Sequence, residues 1–299
     1  MGQIRRWLDS VRAPSEHTGV PHLKTEMYRP SVNPEAPALH LSRLHVYPIK
    51  SAGGLTPDEW EVDAFGLRHD RRWMVVDTAG RMLSQRTHPQ LALVRPSLAD
   101  ETLHVDAPGM PALELPLRPS GSVRATVAVW DDLCRAIWTG ERAARWFSDV
   151  LGADCSLVYM PDHTVRPADP QYAPEGSRVS FADAFPFLLL SEESLADLNR
   201  RMPSPVPMNR FRPNLVIAGG RPYQEDGMTE FGVGALGFRV VKPCDRCVVT
   251  TTNQATAERG PEPLRTLATY RRRDGKVYFG QNAVHQGLGR LRVGEPVLT

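Results

Sequence analysis

Between residues 41 and 160 the chain is cut into short β-type runs, each ended within a few positions by Pro, Gly or Asp. Punctuation at that interval favours a β-barrel or sandwich over a parallel sheet. Alternation of apolar residues begins at Leu41-Ser-Arg-Leu-His-Val-Tyr-Pro. Residues 72–83 read as a hairpin with Ala79-Gly80 near its turn, and residues 91–94, 103–105, 112–115 and 125–130 continue the strand pattern. One helix is expected over residues 141–151, stopped by Gly152.

Residues 161–180, rich in Pro, Asp and Ser, form an expected connection to a second part. There Phe187-Leu-Leu-Leu reads as a buried strand. Ser191, followed by Glu192 and Glu193, reads as the start of a helix. Strands are expected again at 214–218, 235–242 and 248–252, with a short helix at 264–271 and a closing strand at 291–298. No internal repeat is visible. The expected class is mainly β with some helix, an α+β fold rich in β-barrel. Its expected parts are an irregular extension over 1–40, a first barrel part over 41–165 and a second domain over 166–299.

Composition narrows the partners. The chain has 36 basic and 34 acidic residues, a net +2, so a general nucleic-acid binder is not expected. No apolar run approaches the roughly 20 residues that span a bilayer. The first residues lack a secretory pattern. Their first dozen fit a short amphipathic basic helix, with Ile4, Trp7, Leu8 and Val11 on one side. A soluble cytoplasmic protein without a membrane anchor is therefore expected. The four cysteines, Cys134, Cys155, Cys244 and Cys247, suit a reducing compartment.

Several segments carry chemistry. Lys242-Pro-Cys-Asp-Arg-Cys247 places two thiols and a guanidinium in a turn read as lying between two strands. Thiolates favour soft metals. No second CxxC or paired His motif completes a zinc site, and the strand-like residues after Cys247 disfavour a thioredoxin-type pair. Two inert packed thiols are the remaining alternative.

Asn209-Arg-Phe-Arg-Pro-Asn214 sets two arginines before a strand, and Pro213 biases Arg212 toward extended backbone. Guanidinium groups match phosphate and carboxylate oxygens, although a surface ion pair would use the same residues. Lys50-Ser51-Ala-Gly-Gly offers a cation, a hydroxyl and bare amides to an anion without the spacing of a Walker loop. Arg71 and Arg72 enter a strand on opposite faces, so only one can reach a given pocket. Gly280-Gln-Asn282 ends a strand with two amides, able to bond a heterocycle edge or simply to cap a turn.

In this order, the segments resemble the MOSC-domain proteins, especially the branch of the mitochondrial amidoxime-reducing components and their bacterial relatives. The resemblance rests on YPIKS, GLRHDRRW and MLSQR in the first part. In the second it rests on FADAFPFLLLSE, RFRPNLVI, EDGM, KPCDRCVVTT, EPLRTLATYR, FGQN and VGEPV. It implies a molybdenum–molybdopterin cofactor held between the two parts, with Cys247 as metal ligand and catalytic residue. Lys50, Ser51, Arg71, Arg212, Asn214, Asp245, Arg246 and Asn282 are implied to line that cofactor, and Cys244 gains no role.

Position 245 is Asp where relatives often carry Ser, and Ala184-Phe185 lacks the hydroxyl residues of some relatives. The implied activity is reduction of small N-hydroxylated or N-oxygenated molecules. Electrons would come from a separate ferredoxin-, cytochrome- or flavin-reductase-type protein. Pyridoxal phosphate binding enters only as a family-level label, because molybdenum cofactor sulfurases join this domain to a lyase not seen in these residues. A cofactor or sulfur carrier with a Cys247 persulfide, and a cofactor-free binding protein, are the rival readings.

Overall fold

The computed structural model describes residues 38–120 and 124–299; the expected N-terminal helix lies outside them. Strands dominate, and two β-layered regions share the described residues.

The larger sheet runs in the order His40–Leu44, Leu215–Ala218, Phe187–Ser191, Lys276–Gln286, Leu236–Asp245, Glu230–Val233, Val297–Leu298. Its two ends meet. Val297 N donates to Leu39 O at 2.8 Å, and Leu41 N donates to Glu295 O at 2.9 Å, so the sheet is nearly closed on itself. Closure leaves little unpaired edge and encloses an apolar interior of Leu41, Phe187, Leu189, Ile217, Phe231, Phe238 and Ala283. The strand from the N-terminal side, His40–Leu44, pairs antiparallel with Leu215–Ala218, so the two sequence segments interlace in space.

The second region is an antiparallel sheet of Trp73–Asp77, Cys155–Tyr159, Asp132–Trp138 and Arg124–Val129. Strand alternation sends Trp73 and Val75 into one core with Leu103, Phe147 and Leu157, and Met74 and Val76 into another with Val127, Val158 and Phe181. The helix Glu141–Leu151 buries Ala143, Trp146, Phe147 and Leu151 in the first of these cores. Gly152 ends it in the left-handed conformation, as the sequence predicts. Ser191 caps the helix Glu192–Arg200, its hydroxyl accepting from Ser194 N at 3.1 Å.

Several local expectations fail for physical reasons. The closing strand expected over 291–298 divides: Gly289–Arg292 pairs with Glu59–Asp63, Val297–Leu298 pairs with Glu230–Val233, and Gly294 at φ +91° turns the chain between them. Of the residues 91–94 expected as strand, 91–93 belong to a 3-10 turn, Pro89–Leu93, opened by a proline that fixes φ at its first position, and Val94 follows it in extended backbone. Residues 248–251 also form a 3-10 turn rather than a strand; Cys247 caps it, and the Thr250 and Thr251 hydroxyls bond back to Cys247 O and Val248 O. The strand expected to stop at Pro243 continues to Asp245 through irregular register against Lys276–Gln286. That partner strand does not end at Gln281-Asn282 but passes through both residues. Gly280, at φ +82°, makes the kink, and a Cβ there would stand 2.8 Å from Leu189 O.

Candidate functional site

One cavity collects the ends of these elements. It is lined by Lys50, Ser51, Arg71, Arg212, Asn214, Cys244, Asp245, Arg246, Cys247 and Asn282, which brings together every site residue expected from sequence. Arg86 also lines it. Five cationic side chains therefore face the two carboxylates of Asp183 and Asp245, a formal +3.

Each cation is aimed by packing. Lys50 is 5% exposed; its Nζ donates to Phe181 O at 2.7 Å and to Asp183 Oδ1 at 2.5 Å. Burial pushes Lys50 down from its ordinary value, against the pull of Asp183. Desolvation inside the cavity raises the Asp183 carboxyl, although its side chain is 61% exposed, but the Lys50 ammonium overrides it and holds that group below the usual carboxylate range.

Arg71 sits at φ +49°, in the turn before its strand, and donates to Asp70 and to Asn214 Oδ1 at 3.0 Å. Arg72 points elsewhere, to Met160 O and Asp162, so one arginine of the pair reaches the cavity as expected. The turn conformation of Arg71, rather than strand alternation, separates them.

Arg212 is the clearest departure from sequence reasoning. Its φ is +56°, left-handed, although the residue before a proline is biased toward extended backbone. The turn lets Nη1 donate to Ala52 O at 2.6 Å and brings the guanidinium 4.2 Å from the centroid of the Tyr47 ring. Arg71 lies 4.6 Å from the same ring, so one buried tyrosine braces both arginines. Burial pushes Arg212 down to about 10, which still leaves it charged at neutral pH, and Tyr47 up to about 12. Tyr47 stands inside the YPIKS segment, but nothing in the sequence marked it as a brace.

Arg246 donates through Nη2 to Phe211 O at 2.6 Å and through Nη1 to Cys244 Sγ at 2.9 Å. Cys244 thus contacts a cavity arginine, while burial raises its thiol above the ordinary value. Cys247 is half-buried, with its backbone fixed by the 3-10 turn that follows it. Asp245 is exposed and lies 3.5 Å from the Lys276 ammonium, which offsets its charge. Asn282 is held opposite Leu188 in the strand register.

Asn214 is occupied by the protein itself. Its Oδ1 accepts from Arg71 and from Leu188 N, and its Nδ2 donates to His45 O.

Two guanidinium nitrogens, Arg212 Nη2 and Arg246 Nε, are buried with no partner among the described residues. Leaving such a group unsatisfied costs about 1–3 kcal/mol or more. Acceptors brought by a polyanionic ligand would remove that cost. Among the described residues no three His, Cys, Asp or Glu side chains gather as a metal cage. A metal at Cys247 would thus need most of its ligands from a bound group. The donor set fits a cofactor that is anionic and carries its own metal ligands.

Sequence reasoning missed Arg86, Asp183, Trp130 and Tyr47. The first two stand within MLSQR and FADAF, segments whose resemblance gave these side chains no task.

The chain matches the MOSC N-terminal beta barrel domain over residues 38–154 and the MOSC domain over residues 176–298. It is 37% identical to mitochondrial amidoxime-reducing component 1 of Mus musculus, covering 86% of this chain and 81% of that protein. Identity to mitochondrial amidoxime reducing component 2 of Bos taurus is 36%, covering 86% and 82%. Identity to molybdenum cofactor sulfurase of Solanum lycopersicum is 33%, covering 88% of this chain but 36% of that longer protein.

Proposed function

The chain belongs to the MOSC family, and from that premise we propose that it is a molybdenum cofactor-dependent reductase of small N-oxygenated molecules. The observation that carries the reading is the cavity where five cations, two of them with orphaned buried donors, line the same walls as two half-buried thiols, of which Cys244 accepts from Arg246 and Cys247 is left as the candidate ligand.

In this proposal Lys50, Arg71, Arg212 and Arg246 hold the phosphate and pterin portions of the cofactor, and Cys247 ligates its molybdenum. The bound group supplies two-electron reduction of an N–O bond; the protein binds, orients and tunes it. Ser51 and Asn282 offer polar contacts in the cavity lining. Asn214 acts one step back, fixing Arg71 and the Leu188 amide. Asp245, partnered by Lys276, borders the thiol without adding a free charge. Electrons come from a separate donor protein. The four unbridged thiols fit work in a reducing compartment such as the cytoplasm.

The similarity to sulfurases supports a second reading, a carrier of cofactor or sulfur without turnover. Metal and pterin analysis of the purified chain, followed by benzamidoxime reduction with an artificial electron donor, separates the two. Molybdenum, pterin and turnover together are expected. Molybdenum without turnover would favour the carrier, and absence of both metal and pterin would overturn the cofactor reading.

A further inference from the structure

Trp130 stands at a place that local backbone chemistry would reserve for a small residue. It is the first residue of the two-residue turn joining Arg124–Val129 to Asp132–Trp138, where Val129 pairs with Asp132. Its φ is +57°. Hairpin turns with positive φ at that position favour glycine or asparagine, and a bulky aromatic there carries strain. The residue is also 46% exposed, although apolar groups of that size are usually packed away. Neither turn formation nor core packing accounts for the residue.

The ring lines the cavity beside Met82, Arg86 and Phe185, and it is fixed in place from two sides. The Arg86 guanidinium lies 4.2 Å from the ring centroid. The indole Nε1–H donates to Asp183 Oδ1 at 3.3 Å, the same oxygen that accepts from Lys50. Both restraints come from cavity residues, so the aromatic wall has a set orientation relative to the cationic floor. A rigid, exposed aromatic surface inside a site favours a flat π-system, through stacked or edge-on contact, over a saturated group of equal bulk.

We propose that Trp130 is a specificity-determining residue whose ring selects planar aromatic or heteroaromatic N-oxygenated substrates over aliphatic ones. The inference rests on the reductase reading and names the substrate class of that site. Arg86 and Asp183 are positioning residues that act through the indole.

The test uses the cofactor-loaded full chain with benzamidoxime, its saturated analogue cyclohexanecarboxamidoxime, and acetamidoxime. Trp130→Leu is expected to lower the preference in kcat/KM for benzamidoxime over the cyclohexyl compound by about tenfold. Trp130→Phe should keep most of that preference. An unchanged ratio in Trp130→Leu would overturn the proposal.

A second readout does not require turnover. In fluorotryptophan-labelled protein, the fluorine NMR line missing from Trp130→Phe is that of Trp130. Benzamidoxime should shift that line and acetamidoxime should not. If the line shifts but no substrate is reduced, the reductase reading fails while the aromatic site stands. If substrates are reduced but the line is insensitive to benzamidoxime, the Trp130 proposal fails alone.

Discussion

The barrel interior and the cavity wall are made from the same strands under opposite rules. Leu236–Asp245 contributes Leu236 and Phe238 to a dry core and Cys244 and Asp245 to the cavity. Lys276–Gln286 contributes Ala283 to the barrel interior and Asn282 to the cavity. In the core, alternation and apolar packing agree with local preference. In the cavity Ser51, Arg71, Trp130 and Arg212 all adopt positive φ, and two guanidinium nitrogens lack partners. At the cavity the strain and the unsatisfied donors stand where a ligand can use them, and the packed barrel offsets their cost.

The contrast predicts effects of different kinds on the two sides. Trp73→Ala, at a fully buried position in the second sheet, should cost about 3–5 kcal/mol in denaturant unfolding. A loss below about 1 kcal/mol would mean that region is not a close-packed core. Arg212→Met should instead leave the cofactor-free chain within roughly 1 kcal/mol of wild type, because it removes a desolvated charge. It should also weaken cofactor retention about ten- to a hundredfold, read as molybdenum kept after gel filtration. Equal retention would detach Arg212 from the ligand.

Gly280→Ala tests the border between the two regions. The positive φ and the close approach of Leu189 O predict a loss of about 1–3 kcal/mol, with NMR shift changes at Gln281 and Asn282. A neutral result would remove the need for the kink.

The smallest expected effect is on pH. Burial lowers His45 and His69 from 6.5 to about 4, so each ring folds neutral and the unfolded chain binds more protons between those values. Their contribution is complete above pH 6.5 and is lost as pH falls toward 4. Stability should drop by roughly 1 kcal/mol per ring between pH 6.5 and 5. In His45→Gln and His69→Gln that slope should shrink; an unchanged slope would assign acid sensitivity to other groups.

Much of the barrel was legible because apolar alternation and turn residues are local signals. The helix Glu141–Leu151, its Gly152 stop and the Ser191 cap all follow from a few neighbouring residues. The 3-10 turns at Pro89–Leu93 and Val248–Thr251 were misread because apolar and β-branched residues fit a strand equally well until the backbone is seen. Arg212 misled for a deeper reason. Tertiary contacts with Ala52 and Tyr47 hold it in a conformation that its proline neighbour disfavours. Tyr47 and Trp130 stayed hidden because an aromatic in a β-type run reads as core. Only distances to Arg71, Arg212 and Arg86 give them another task.

The most direct measurement is the molybdenum content of purified Cys247→Ala beside Cys244→Ala and wild type, with Tm recorded for the cofactor-free forms. Wild type and Cys244→Ala should hold stoichiometric metal, while Cys247→Ala keeps its Tm and loses most of the metal and all turnover of benzamidoxime. Full metal and full activity in Cys247→Ala would contradict the account, because this thiol of the cationic cavity would then not be the ligand.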